Sequence, residues 1–102
     1  MGTTVEMSLR VGEGGTSSVV SISGTSAQSG ALTTAAEKDF SVIVTPTTDC
    51  FVRQGANPTA VSDGTDQILL AYQQRRISVK NGNKLAFKTT GATGSVYLTP
   101  EV

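Results

Sequence analysis

Three groups of side chains in this 102-residue chain have the types and spacing to do chemistry. Asp63-Gly64-Thr65-Asp66 brings two carboxylates into one short polar stretch, and two carboxylates with neighbouring backbone oxygens can hold Ca²⁺. Arg75, Arg76 and Lys80, with Lys84 and Lys88 following, form the one local cluster of positive charge. Cys50 is the single cysteine. Each group also has a plainer reading. A full calcium loop has more ligands at a defined spacing, so Asp63 and Asp66 are weak metal candidates, and a type I turn with Asp at its corners is the simpler account. The pair is too generic for a glycosidase couple. The basic cluster lacks the interleaved aromatics on which nucleic acid stacks, Tyr72 being its sole aromatic neighbour. A solvated strand face accounts for it more simply than pairing with acids on a neighbouring subunit. Cys50, beside Phe51 and Val52, reads as a small core residue.

What is missing excludes more than what is present suggests. There is no histidine, so Ser–His and Cys–His nucleophilic machinery has no base. One cysteine cannot build a Cys/His zinc site. An enzyme would have to work with Asp39, Asp49, Asp63 and Asp66, whose mutual placement sequence does not give. Gly12–Gly15 and Gly91–Gly94 lack the lysine and following helix of a phosphate loop. We expect no cofactor and no catalytic activity. Eight basic and eight acidic residues give zero net charge, without the basic excess of a nucleic-acid binder. Zero net charge also weakens self-repulsion and permits close association with a partner. No long apolar run exists, and the N-terminus lacks a basic region followed by an apolar one. Neither a membrane span nor a secretory signal is expected, and folding in a reducing cytosol is the simplest account.

The elements that must position these residues read as strands. The chain holds 15 Thr, 11 Ser and 11 Gly; Thr favours strands, Ser and Gly favour turns. Residues 4–11, TVEMSLRV, alternate with period two, Val5, Met7, Leu9 and Val11 sharing one face. Further strands are predicted over 17–23, 39–45, 49–53, 67–72 and 95–99, with QILLAY at 67–72 short, apolar and buried. Asn81-Gly82 between two alternating runs is a strong hairpin signal, and it predicts that residues 75–80 pair with 83–88. Residues 24–38 read as a long loop, with at most one helical turn near Thr34-x-x-Glu37, a capping-box pattern. About eight short strands, spaced roughly ten residues apart by Gly, Pro, Asn and Asp, predict an all-β protein: a single antiparallel β-sandwich, jelly-roll-like or Ig-like. At 102 residues it is one domain, in which residues 1–15 can form an extended N-terminal arm. The first strand, near the N-terminus, and the last, ending at Pro100, are expected to be open edges able to add to a sheet in another chain.

The C-terminal half resembles a known group. The strings Cys50-Phe51-Val52-Arg53-Gln54-Gly55, Asn57-Pro58-Thr59-Ala60, Asp63-Gly64-Thr65-Asp66, Gly82-Asn83-Lys84-Leu85-Ala86-Phe87 and Val96-Tyr97-Leu98-Thr99-Pro100 look like those of small virion structural proteins of tailed bacteriophages. The resemblance covers roughly residues 39–100. It implies a β-domain of the virion, of the capsid decoration or cement type, binding across major capsid protein subunits and stabilising the head. It implies the major capsid protein and neighbouring copies of the chain as partners, so a homo-oligomer on the particle, without nucleic acid or membrane. It places the protein on the phage head surface after synthesis in the bacterial cytoplasm, and carries over no catalytic residue. The candidate partner contacts are Val5, Met7, Leu9, Arg10, Arg75, Arg76 and Lys80, with residues 1–15 and 24–38 as contact segments.

Two other readings compete. One is a neck, tail or fibre-associated component, which sequence does not separate from head decoration. The other is a carbohydrate-binding β-sandwich. Such modules display aromatic platforms, and here there is no Trp and only Tyr72 and Tyr97. Tyr97 alternates with Val96 and Leu98, which turns its ring outward.

Overall fold

The structure is a computed structural model that describes residues 18–33 and 38–101. None of these is helical. Eight strands form: β1 (Ser18–Ile22), β2 (Ala27–Gln28), β3 (Phe40–Pro46), β4 (Cys50–Gly55), β5 (Gln67–Leu69), β6 (Arg75–Val79), β7 (Lys84–Lys88) and β8 (Gly94–Pro100). They make two four-stranded antiparallel sheets of order β1-β8-β3-β6 and β2-β7-β4-β5. The pairing joins first with last, second with seventh, third with sixth and fourth with fifth. That is one long antiparallel ribbon folded over on itself, the strand order of a jelly roll.

Side-chain alternation builds the core. Val20 and Ile22 of β1, Val42 and Val44 of β3, and Val96 and Leu98 of β8 turn inward from the first sheet. Cys50 and Val52 of β4, Leu69 of β5, and Leu85 and Phe87 of β7 meet them from the second. Each fully buried aliphatic or aromatic side chain contributes roughly 1.5–3 kcal/mol through removal from water. In β7, Ala86 is buried as well, although it alternates away from the core. It lies between Gln28 and Arg53 in the cross-strand ladder, where two longer side chains flank its methyl group.

Four expectations are corrected. First, β6 and β7 do not pair: β6 pairs with β3 in one sheet, and β7 with β2 and β4 in the other. The Asn81-Gly82 turn is closed by Asn83 N–H donating to the Lys80 carbonyl at 2.9 Å. Gly82 has φ 92°, but Asn81 has no positive φ. One left-handed residue at the third position makes a type II turn, whereas a tight two-residue hairpin takes type I′ with two. Type II splays the flanking strands, and here they part into separate sheets. Second, β8 is no edge; it lies between β1 and β3. Third, the 67–72 run is strand only to Leu69. Leu69 is buried, while Ile68, Leu70 and Tyr72 are exposed. Fourth, residues 24–33 are not simply loop. They include β2, and beyond it Ser29 and Leu32 bond with the main chain of Leu85, Asn83 and Gly82.

The strand at 4–11, the glycine turn at 12–15 and the capping box at 34–37 lie outside the described residues. Eight strands occur among the described residues, but their membership differs from the expected set. The addition is β2, whose two residues are too few to show a period.

Candidate functional site: a partner-contact surface

The aspartates bond to the main chain of their own sandwich. Each of the four aspartates accepts a hydrogen bond from a main-chain N–H: Asp39 from Asn81 at 3.2 Å, Asp49 from Ala71 at 2.8 Å, Asp63 from Thr65 at 3.0 Å, and Asp66 from Val61 at 2.7 Å. Asp66 also receives Arg53 Nε at 2.6 Å. Thr65 donates through its hydroxyl to Asp63 at 2.7 Å as well, and these bonds hold the Asp63 carboxyl below its ordinary range. Gly64 has φ 96°, so Asp63–Asp66 is not the type I turn expected; it is closed by the Asp63 side chain in the manner of an Asx turn. No group of three or more metal-ligating side chains occurs among the described residues.

The basic cluster divides. Arg76 pairs within its own chain, Nε to Glu101 Oε1 at 2.6 Å and Nη2 to Oε2 at 3.0 Å. Arg76 stays on an exposed strand face, as expected, but it has an intramolecular partner there that the sequence did not show, and that two-pronged bond raises the guanidinium pKa. It also ties residue 101 to β6. Lys80 donates its main-chain N–H to Gln54 Oε1 at 2.8 Å. Arg75 is exposed and takes no side-chain partner among the described residues. Val5, Met7, Leu9 and Arg10 lie outside the described residues.

Cys50 is fully buried in the core, as expected. Burial, then the neighbouring charge of Asp49, push its thiol up to about 11 from an ordinary 9.0. A thiol held neutral and out of contact with water is a poor nucleophile.

One surface feature is invisible in the sequence. From β5 into the next turn, alternate residues Ile68, Leu70 and Tyr72 are exposed at 41%, 42% and 75%. Beside Ile68 in the ladder is Phe51, itself partly exposed. Tyr72 has φ 60°, the left-handed region that a bulky side chain rarely enters. Three bonds hold the turn in that shape: Gln73 N–H to the Leu70 carbonyl at 3.2 Å across the turn, Tyr72 N–H to the Pro46 carbonyl at 2.7 Å, and Ala71 N–H to Asp49. Glycine or asparagine would adopt this conformation at lower cost. A large ring is thus raised into solvent on a strained turn, next to two exposed aliphatics, Ile68 on the edge strand β5 and Leu70 just beyond it. Its one sign in the sequence is that Tyr72 is the sole aromatic near the basic cluster.

On the opposite sheet, Tyr97 does face outward, half exposed, opposite Val19 on β1 and Thr45 on β3. No protein-family model, curated protein or solved structure matches the chain.

Proposed function

We propose that this chain is a structural protein of a tailed-bacteriophage virion, decorating the head and binding across major capsid protein subunits. The observation that carries the reading is the exposed strip Ile68, Leu70 and Tyr72 on an edge strand and its strained turn. Many of the charged groups are bonded to their own chain: the aspartates to main-chain N–H groups, Arg76 to Glu101, Arg53 to Asp66. That division suits a protein that works by being held. The jelly-roll strand order adds a fold-level analogy, since viral capsid domains use it, though lectin domains do too. A cement protein acts by bridging. Each contact can be weak, because once one subunit is bound the next contact is effectively intramolecular. Bridged subunits then resist outward pressure from packaged DNA.

The test uses phage heads prepared without this protein. Adding the purified chain should saturate the heads and raise the temperature at which they release DNA. Failure to bind heads, with binding to necks or tails instead, moves the protein to the rival virion position.

A second reading has one observation in its favour. The outward ring of Tyr97 on a sheet rich in Ser and Thr offers a stacking surface for a sugar. Binding on a glycan array that Tyr97→Ala removes would favour it; silence on the array removes it.

A further inference from the structure

A groove opens between the two sheets where β5 and β6 are both edge strands. Val52, Leu69, Ile77 and Leu85 form its apolar floor, and its volume is about 190 Å³. Small-molecule sites usually occupy roughly 300–1,000 Å³, so this space suits one or two side chains rather than a ligand of that size. Two glutamines line it. Gln54 Nε2 donates to the Ser78 carbonyl at 2.9 Å while its Oε1 accepts from Lys80 N–H at 2.8 Å. Gln67 donates to the Ile68 carbonyl at 3.0 Å. These rim main-chain groups are thus already satisfied within the chain, so recognition in the groove falls to side chains.

Arg75 stands on the β6 rim. Arg76 also borders the groove but is already held by Glu101, whereas the register of Arg75 opposite Val44, a core residue, turns it toward the sheet interface. It has no anionic partner among the described residues. A cation beside an apolar floor matches an aliphatic side chain with a carboxylate close by. In an extended segment, positions two apart share a face, which fixes the pattern as aliphatic, any residue, acidic.

We infer that this groove docks an extended segment of a partner protein with that pattern, the aliphatic side chain entering over Leu69 and Leu85 and the carboxylate pairing with Arg75. The carboxylate–guanidinium bond is charge-assisted and can be two-pronged. This goes beyond the virion reading and does not depend on it, since its test needs no particle.

The probe is the capped peptide acetyl-Ala-Leu-Ser-Glu-Ala-amide, titrated into the isotope-labelled full chain and followed by amide chemical shifts. Shifts are expected to concentrate on Leu69, Arg75, Ile77 and Leu85. Glutamine in place of the peptide's glutamate should weaken binding about tenfold, and Arg75→Gln should do the same. Alanine in place of its leucine should abolish the shifts. Arg75 is exposed, so Arg75→Gln should unfold with the wild type, which separates lost binding from lost fold. No shifts at the groove overturn the inference. So does undiminished binding to Arg75→Gln; if that variant also self-associates, Arg75 is instead a charge that keeps the β6 edge from pairing.

Discussion

Gln54 and Ser78 belong to different sheets, yet the Gln54 side-chain amide donates to the Ser78 carbonyl at 2.9 Å. The same amide accepts from Lys80 N–H at 2.8 Å and from Asn83 Nδ2 at 3.0 Å. One side chain therefore clasps β4 to the β6 edge and to the turn that leads into β7. It bonds to β6 as a neighbouring peptide group would. Gln54→Ala should lower the unfolding free energy by about 1–2 kcal/mol, the worth of a few partly exposed hydrogen bonds. Urea denaturation checks this, and an unchanged midpoint would mean that the clasp adds nothing.

Tyr72 should separate stability from binding. Asparagine tolerates the left-handed region far better than tyrosine, and the ring is mostly solvent-exposed, so little contact is lost. Tyr72→Asn should therefore stabilise the fold by about 1 kcal/mol and weaken binding to heads. Thermal unfolding and head co-sedimentation read the two effects. A variant that binds like wild type would remove the strip from the proposed interface.

Cys50 sets a limit at high pH. The unfolded thiol ionises from its ordinary 9.0, while the folded thiol holds its proton up to about 11. The folded pKa is the higher one, so this stability is fully present below pH 9 and is lost as pH rises through 11. The loss is on the order of 2 kcal/mol. Denaturation at a series of pH values should show that decline in the wild type and not in Cys50→Ala, whose stability is lower throughout because of the cavity. In the native state below pH 9, a thiol reagent should label Cys50 only as fast as the chain opens.

Three glycines should rank by their surroundings. A Cβ at Gly94 would lie 2.5 Å from Thr48 Oγ1 and 2.9 Å from Thr47 Oγ1. Those hydroxyls bond to the Thr93 carbonyl and the Ser95 N–H, so Gly94→Ala should cost about 2 kcal/mol. Gly82 has open space but a φ of 92°, and Gly82→Ala should cost about 1 kcal/mol. Gly30 has neither constraint, and Gly30→Ala should stay within about 0.5 kcal/mol. Measured unfolding free energies in any other order would contradict these assignments of steric and backbone cost.

Alternation makes the inner faces of β3, β4 and β8 legible in the sequence. Val42 with Val44, Cys50 with Val52, and Val96 with Leu98 are the period-two pairs that burial on one side demands. The pairing of strands is not legible. Asn81-Gly82 announces a turn, but the turn type depends on Asn81's own φ, which the dipeptide leaves open. Only β4 and β5 are both consecutive and paired among the described strands. Most neighbours are distant in sequence, so the interior position of β8 cannot be read from its place along the chain. Tyr72 escapes sequence reading for a related reason. Its significance lies in a backbone conformation imposed by Pro46 and Asp49, more than twenty residues away. The Glu101 partner of Arg76 is not legible because it reaches Arg76 only once β8 has been placed beside β3.

The copy number of this protein in purified virions of the phage proposed to encode it, by gel densitometry against the major capsid protein, tests the central claim most directly. Head decoration predicts a ratio of about one to one, or a simple fraction such as one to three. A handful of copies per particle would contradict it and assign the chain to a neck or tail, and absence from the virion would contradict the structural role altogether.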